Sequence, residues 1–317
     1  MNFFASQEYL QVLADVYFPG KPARVADVRI GGQVLRLLIL GDRQVVTEMP
    51  FLDYHQPLRA DEIGRAERRR AYAPWVAREV VGLKDRHPLP EGLGTAPYID
   101  WSLFSSYDDY LASLRARHND RFRELRRLRR RLAEHFGPLE FLADDTRPDV
   151  LERALDWKGR QFRETGQGDV FAYPENFRFF EELRRRDLLV ASTLRGAGRL
   201  LAVSLGFIHQ GVWSGWIMTY DHAPELKAYS VGNQLLQEML AHSFAARHRE
   251  FDFSIGDQDF KWLYATHARV LGPLGPRPWR LPRLPPARAV VRGALDRAGL
   301  LGVARSLRNA LRAMARL

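Results

Sequence analysis

Asp257, Lys261 and Tyr264 stand in the stretch FDFSIGDQDFKWLYA, residues 251–265, at spacings of four and three. An apolar strand pattern over 251–255 runs into Gly256-Asp257, and a helical pattern follows over 257–265. On that helix an acid, an amine and a phenol fall near one face, which are groups able to accept, hold and donate protons. The same spacing also describes an ordinary acid near a helix start paired i,i+4 with a lysine, worth about 0.3–0.5 kcal/mol. Composition weighs against that plainer reading. The chain has five Lys (21, 84, 158, 227 and 261) beside 43 Arg, so a surface cation here would by habit be Arg. A compact ammonium suits a place where a guanidinium does not fit.

A second group lies just upstream. Met218-Thr219-Tyr220-Asp221 ends a strand pattern, and Ser230-Val231-Gly232-Asn233 opens a helix soon after. The free N–H groups of a helix start suit an anionic phosphate. Ser230 as a simple N-cap explains the same residues as well.

The elements that must position these groups read as follows. Residues 5–17 have helical spacing, ended by Pro19-Gly20, and 23–30, 33–40 and 43–50 read as three strands with glycine turns between them. Residues 60–80, Arg-rich, read as helix passing into strand. The longest helical pattern runs from 107 to 136, with nine Arg between 115 and 131, and Gly137-Pro138 closes it. A strand over 138–144, helices over 148–164 and 174–186, and three strands over 187–195, 199–210 and 211–221 come next. Helix 230–248, strand 250–255 and helix 257–265 complete the body. Antiparallel strands with a single crossover, in this order, define an α+β fold of mixed sheets flanked by helices. Pro-rich 273–286 reads as a linker.

The formal charge of +10 is concentrated at one end. From Pro276 onward ten Arg face a single acid, Asp296, so the body is close to neutral and is not a nucleic-acid surface by composition. The tail 287–316 is basic and amphipathic, and can lie on an anionic membrane surface; docking on the body or staying unfolded are the alternatives. The Arg-rich 115–131 reads as a solvated face, with a nucleic acid or phosphorylated acceptor as its functional alternative. No Cys is present, which excludes a thiol nucleophile, a cysteine zinc site and disulfides. His209, His222, His242, His248 and His267 lack ligand spacing, so no metal is expected. The start MNFFASQEYL has no basic n-region or long apolar run, and a cytoplasmic location is expected, peripheral to the membrane if the tail binds it.

The order YD…SVGNQLLQEMLAHSFAARHREFDFSIGDQDFKWLYA resembles the GNAT-related acyltransferases of the CelD-like/FemAB-like branch. The resemblance lies in a strand ending Asp252-Phe253, the Gly256-Asp257 turn, Phe260-Lys261 where that branch has Tyr-Lys, and Ser230-Val231-Gly232 before Leu235-Leu236. In the first half, Pro50, Asp53 and Tyr54 of MPFLDYHQPL match a further segment, so the likeness runs from about residue 5 to 272. It implies a duplicated GNAT-like fold: a degenerate half over 1–137, a catalytic half over 138–275, and a linker and basic helical tail over 276–317. It also implies acetyl-CoA or another acyl-CoA as co-substrate, with its pyrophosphate on the N–H groups of Val231, Gly232 and Asn233. Tyr220 and Ser230 would stand beside them. The usual phosphate loop with two glycines is not intact here.

The chemistry so implied is direct attack on a thioester, with no acyl-enzyme. Asp257 would be the base, with Asp221 or His222 as substitutes, Lys261 would hold the acceptor or a developing negative charge, and Tyr264 would protonate the thiolate. A half-buried core aromatic is the plainer reading of Tyr264. Asp53, Tyr54, Lys158, Trp216 and Asp221 would line the acceptor side, although Lys158 on a solvated helix face and Trp216 in the core are plainer readings. The acceptor would be a sugar, polysaccharide or lipid-linked precursor. Transfer from aminoacyl-tRNA, or a catalytically degenerate scaffold, are the alternatives.

Overall fold

The computed structural model describes residues 2–82 and 92–276. The expectations for the linker and basic tail after Pro276 lie outside the described residues. The described chain forms one α+β unit with two sheets. Its strands are β1 (Ala23–Ile30), β2 (Gln33–Leu40), β3 (Gln44–Val46), β4 (Glu67–Arg68), β5 (Ala73–Gly82), β6 (Gly94–Asp100), β7 (Leu139–Leu142), β8 (Val190–Gly196), β9 (Arg199–His209), β10 (Val212–Tyr220), β11 (Glu250–Asp252) and β12 (His267–Leu274). Its helices are α1 (Gln7–Tyr17), α2 (Tyr107–Phe136), α3 (Asp149–Glu164), α4 (Pro174–Arg185), α5 (Val231–Ala245) and α6 (Asp259–Tyr264).

The small sheet has the order β3-β2-β1-β4, and the large one β5-β12-β6-β11-β10-β9-β8-β7. The large sheet draws strands from both halves of the sequence, with β12 seated between β5 and β6. The periodicity reading did not find β6 or β12. β6 carries Gly94 and Pro97 and β12 carries Gly272 and Pro273, residues that read as turn or linker and not as strand. Apolar residues of the strands feed three cores, one on each face of the large sheet and one, with Val28, Ile30, Leu35 and Val76, where the small sheet meets β5 and β12. Phe3, Phe4 and Tyr9 pack with Phe179, Phe180 and Phe207 on one side. Tyr110, Phe122, Leu235, Met239, Phe251 and Tyr264 pack on the other.

Local sequence accounts for the helices that matter to the site. Ser6 caps α1 by accepting from the Tyr9 N–H at 3.2 Å. In α2 the apolar stripe Tyr110, Leu114, Phe122, Leu125, Leu128 and Leu132 is buried, as its spacing requires. Its backbone leaves helical geometry at His118, within Arg117-His118-Asn119-Asp120, a stretch of mostly weak helix formers. α5 is buried between the sheet and α2, and its one buried amide, Gln234, donates to the Leu125 carbonyl at 3.0 Å.

Candidate active site

β10 and β11 run parallel and pair only over Val212–Ser214 and Glu250–Asp252. Beyond Ser214 the two chains part, because β11 ends at Asp252 while β10 continues to Tyr220. A cleft of about 880 Å³ opens between them. Gly215, Trp216, Met218 and Tyr220 line it from β10, and Phe251, Phe253 and Ile255 from the opposite segment. The start of α5 forms its mouth, and α3 contributes Lys158, Gln161 and Glu164.

A bulge in β10 aims a side chain into this cleft. The register with β9 jumps from Gly215↔Gly206 to Ile217↔Leu205, which leaves Trp216 without a partner. Gly206 permits that crowding, since a Cβ there would fall 2.1 Å from the Ser214 carbonyl oxygen. Trp216 lines the cleft, and its indole N–H donates to Asp53 Oδ1 at 3.1 Å.

Beneath the cleft lies a buried polar network. Asp53 also accepts from the Ser254 hydroxyl. Asp252 accepts from the Ser254 N–H at 2.8 Å and from the Tyr54 hydroxyl at 2.6 Å. Arg269 stacks on Tyr98 with its guanidinium 4.0 Å from the ring centre and pairs with Glu250. Burial raises the pKa of Asp53, against the pull of Ser254, Trp216 and Lys261. Burial also raises that of Tyr54, with the Asp252 charge adding to it.

Lys261 stands on α6 and is 7% exposed. Its Nζ donates to the carbonyls of Ser254 at 3.2 Å and Ile255 at 2.7 Å. Both carbonyls are turned toward it by an unusual backbone. Ser254 has φ +61° and Gly256 φ +132°, the latter closed to any side-chain-bearing residue without strain. Burial lowers the Lys261 pKa to about 8, opposed by Asp53 and Asp252 and assisted by Lys158. Lys158, on α3, donates to the Met218 carbonyl at 3.1 Å and to Gln161 Oε1 at 3.0 Å, and burial lowers its pKa too.

At the mouth, Ser230 caps α5 in left-handed geometry (φ +51°) and its hydroxyl makes no bond to the helix. Ser230 thus holds the N-cap position, as its place before the helix suggests, but without the side-chain capping bond. The Ser230 carbonyl takes the N–H groups of Asn233 and Gln234, so the Asn233 N–H expected to hold phosphate is already engaged, while those of Val231 and Gly232 come before the first intrahelical donor. Ser230, Val231, Gly232 and Asn233 all line the cleft. Tyr220 stacks beside His222 with centroids 5.5 Å apart. Asp221 pairs with Arg199 at 2.7 Å, and His222 Nδ1 lies 3.2 Å from Glu164 Oε2.

Two of the three residues first singled out do not line the cleft. Asp257 lies before the N-cap Gln258, so α6 begins at Asp259 and Asp257 does not share a helical face with Lys261. Its exposed carboxylate accepts from the Trp262 indole N–H at 2.5 Å. Tyr264 is fully buried between α2 and α5, with Phe122 edge-on at 5.6 Å, and burial raises its pKa. Asp53 and Tyr54, expected on the acceptor side, lie under the floor and do not line the cleft either. Ser254, Asp252 and Lys227 complete the site. Asp252 carried a sequence signal in the strand end Asp252-Phe253, and Lys227 in its rarity as a lysine; a left-handed serine carries none. Among the described residues no three His, Asp or Glu gather as metal ligands.

Residues 119–262 match the model of the acetyltransferase (GNAT) domain family. No curated protein matches the chain. Similar solved structures include the C-terminal domain of a putative lysylphosphatidylglycerol synthetase from Agrobacterium fabrum, at 13% identity and TM-score 0.46, covering 93% of this chain and 96% of that one. FemX is similar at 10% identity and TM-score 0.48, covering 85% and 91%. L-PGS from Bacillus licheniformis is similar at 11% and 0.40, covering 84% and 86%. The matched segment holds Lys158, Trp216, the α5 start and Lys261. The match spans residues 119–262, less than half of the chain, so it is this segment that is similar to a GNAT acetyltransferase domain, and its match supports a transferase enzyme.

Proposed function

We propose that the protein transfers an acyl group from acetyl-CoA or another acyl-CoA directly to an amine or hydroxyl of a sugar, polysaccharide or lipid-linked precursor, as in the CelD-like enzymes it resembles. The observation that carries this reading is the cleft between the parted ends of β10 and β11, with open helix N–H groups at its mouth and a buried lysine at its floor. Phosphates of the co-substrate would sit on the N–H groups of Val231 and Gly232, near exposed Lys227.

The acceptor nitrogen or oxygen attacks the thioester carbonyl. A bond to carbon forms, the carbon–sulfur bond breaks, the acceptor loses a proton, and the departing thiolate takes one. Lys261 turns its remaining N–H to the acceptor and holds it against the thioester. Since Asp257 does not line the cleft, the base is His222, which lines it and is oriented by Glu164. Asp53 touches no substrate and acts as a positioning residue for Trp216 and Lys261.

Calorimetry of the purified full chain with acetyl-CoA and longer acyl-CoA tests the reading, and no binding at millimolar concentration would sink it. A second reading rests on α2. Eight Arg there are exposed, and Arg131 lies over the Tyr229 ring, within 5.9 Å, beside the cleft mouth. That face suits aminoacyl-tRNA as donor; salt-sensitive binding of charged tRNA, with none of acyl-CoA, would select it.

A further inference from the structure

Three of the chain's five lysines, Lys158, Lys227 and Lys261, line the cleft, and no arginine among the described residues does. Lys227 is exposed at the mouth, whereas Lys158 and Lys261 lie inside. Each inner ammonium has three donors and spends two on neutral acceptors: Met218 O and Gln161 Oε1 for Lys158, and Ser254 O and Ile255 O for Lys261. Among the described residues neither makes an ion pair with a carboxylate. The acids that line the cleft, Asp221 and Glu164, are engaged with Arg199 and His222.

Two like charges in one partly dry cleft, each with a donor to spare and no direct counter-ion, disfavour each other and favour an anion between them. Lys158 depresses the Lys261 pKa, so their fields overlap. Asp53 and Asp252 act on Lys261 through space, and neither lines the cleft.

We infer that the acceptor substrate is an acid, whose carboxylate or phosphate group is held between the Lys158 and Lys261 ammonium groups on the inner wall of the cleft. The inference rests on the acyltransferase reading of this cleft and names the acceptor's chemical class. Lysine serves here where arginine does not because a small ammonium can be held by two backbone or amide oxygens and still present one N–H.

The test is lysine-selective isotope labelling of the full chain, in which five side-chain signals are assigned with single Lys→Arg variants. Acetate or inorganic phosphate, titrated without co-substrate, is expected to shift the Lys158 and Lys261 signals saturably and to move the Lys261 titration midpoint upward. If neither anion moves them, the inference is overturned. It is equally overturned if acetyl-CoA alone moves them, because the two charges would then receive the co-substrate's phosphates. If the anions move them but acetyl-CoA binds nowhere, the anion site stands and the acyl-CoA reading falls. In turnover, glucosamine 6-phosphate should exceed glucosamine by about tenfold or more in kcat/KM, the worth of one charge-assisted hydrogen bond, and Lys158→Met should erase that preference. Equal rates for the pair would count against the inference.

Discussion

The carboxylate of Asp53 takes the indole N–H of Trp216 at 3.1 Å, across 163 residues of chain. Asp53 comes from the first half of the protein, outside the matched GNAT domain, and Trp216 from the bulge of β10 within it. The wall of the cleft is therefore set by a residue the domain does not contain. That relationship gives the first test. Asp53→Ala should remove the acceptor for Trp216 and Ser254 and cost about 1–3 kcal/mol of stability by denaturant unfolding. Asp53→Asn should keep much of that stability yet lower the Lys261 pKa, because the Asp53 charge holds it up. The descending limb of the pH–rate profile should then move to lower pH, and an unmoved limb would separate Asp53 from Lys261.

Lys261 gives a pH dependence with a definite sign. Its ammonium form is the donor, so activity should fall as pH rises through about 8. For stability the folded pKa lies below the unfolded one, so the unfolded chain binds more protons between about 8 and the ordinary lysine value. Stability from this group should therefore rise with pH across that window, the burial penalty being fully present below it. Thermal melts of Lys261→Met should lack the rise, while kcat/KM should drop by about 10²-fold as the acceptor loses its position.

His222→Gln should lower kcat by about 10²–10⁴-fold if His222 is the base. Asp257→Asn should stay within about threefold of the parent, since its carboxylate holds Trp262 and does not line the cleft. Steady-state kinetics on the two variants side by side decides between them.

At the mouth, a Cβ on Gly232 would meet Tyr220 Cδ1 at 3.4 Å and Met218 Sδ at 3.5 Å, which is ordinary contact. Gly232→Ala should fold normally. Gly232→Leu should crowd the helix start and weaken acetyl-CoA binding by about tenfold or more in calorimetry, with little change in Tm.

No helix among the described residues is long and apolar enough to cross a membrane. The basic segment 287–316 would bring the enzyme to an anionic surface by charge and amphipathicity alone. Deleting 276–317 should abolish co-sedimentation with vesicles containing anionic lipid, in a salt-sensitive manner, and undiminished binding would retire that role.

Much of this was written in local sequence. The α+β order, the buried stripe of α2, the helix start at Ser230 and the rarity of Lys261 follow from periodicity, turn chemistry and composition, which act over a few residues at a time. What tertiary structure decided was which of those residues meet. Asp257 and Lys261 are four apart, yet a glycine at φ +132° and a late helix start turn them to different surroundings. Asp53 and Trp216 are far apart, yet a one-residue bulge and a sheet shared by both halves bring them into contact. Spacing fixes a side chain's direction only along an unbroken element. The floor of this cleft is made where elements end, and there the direction of each group is set by packing against distant parts of the chain.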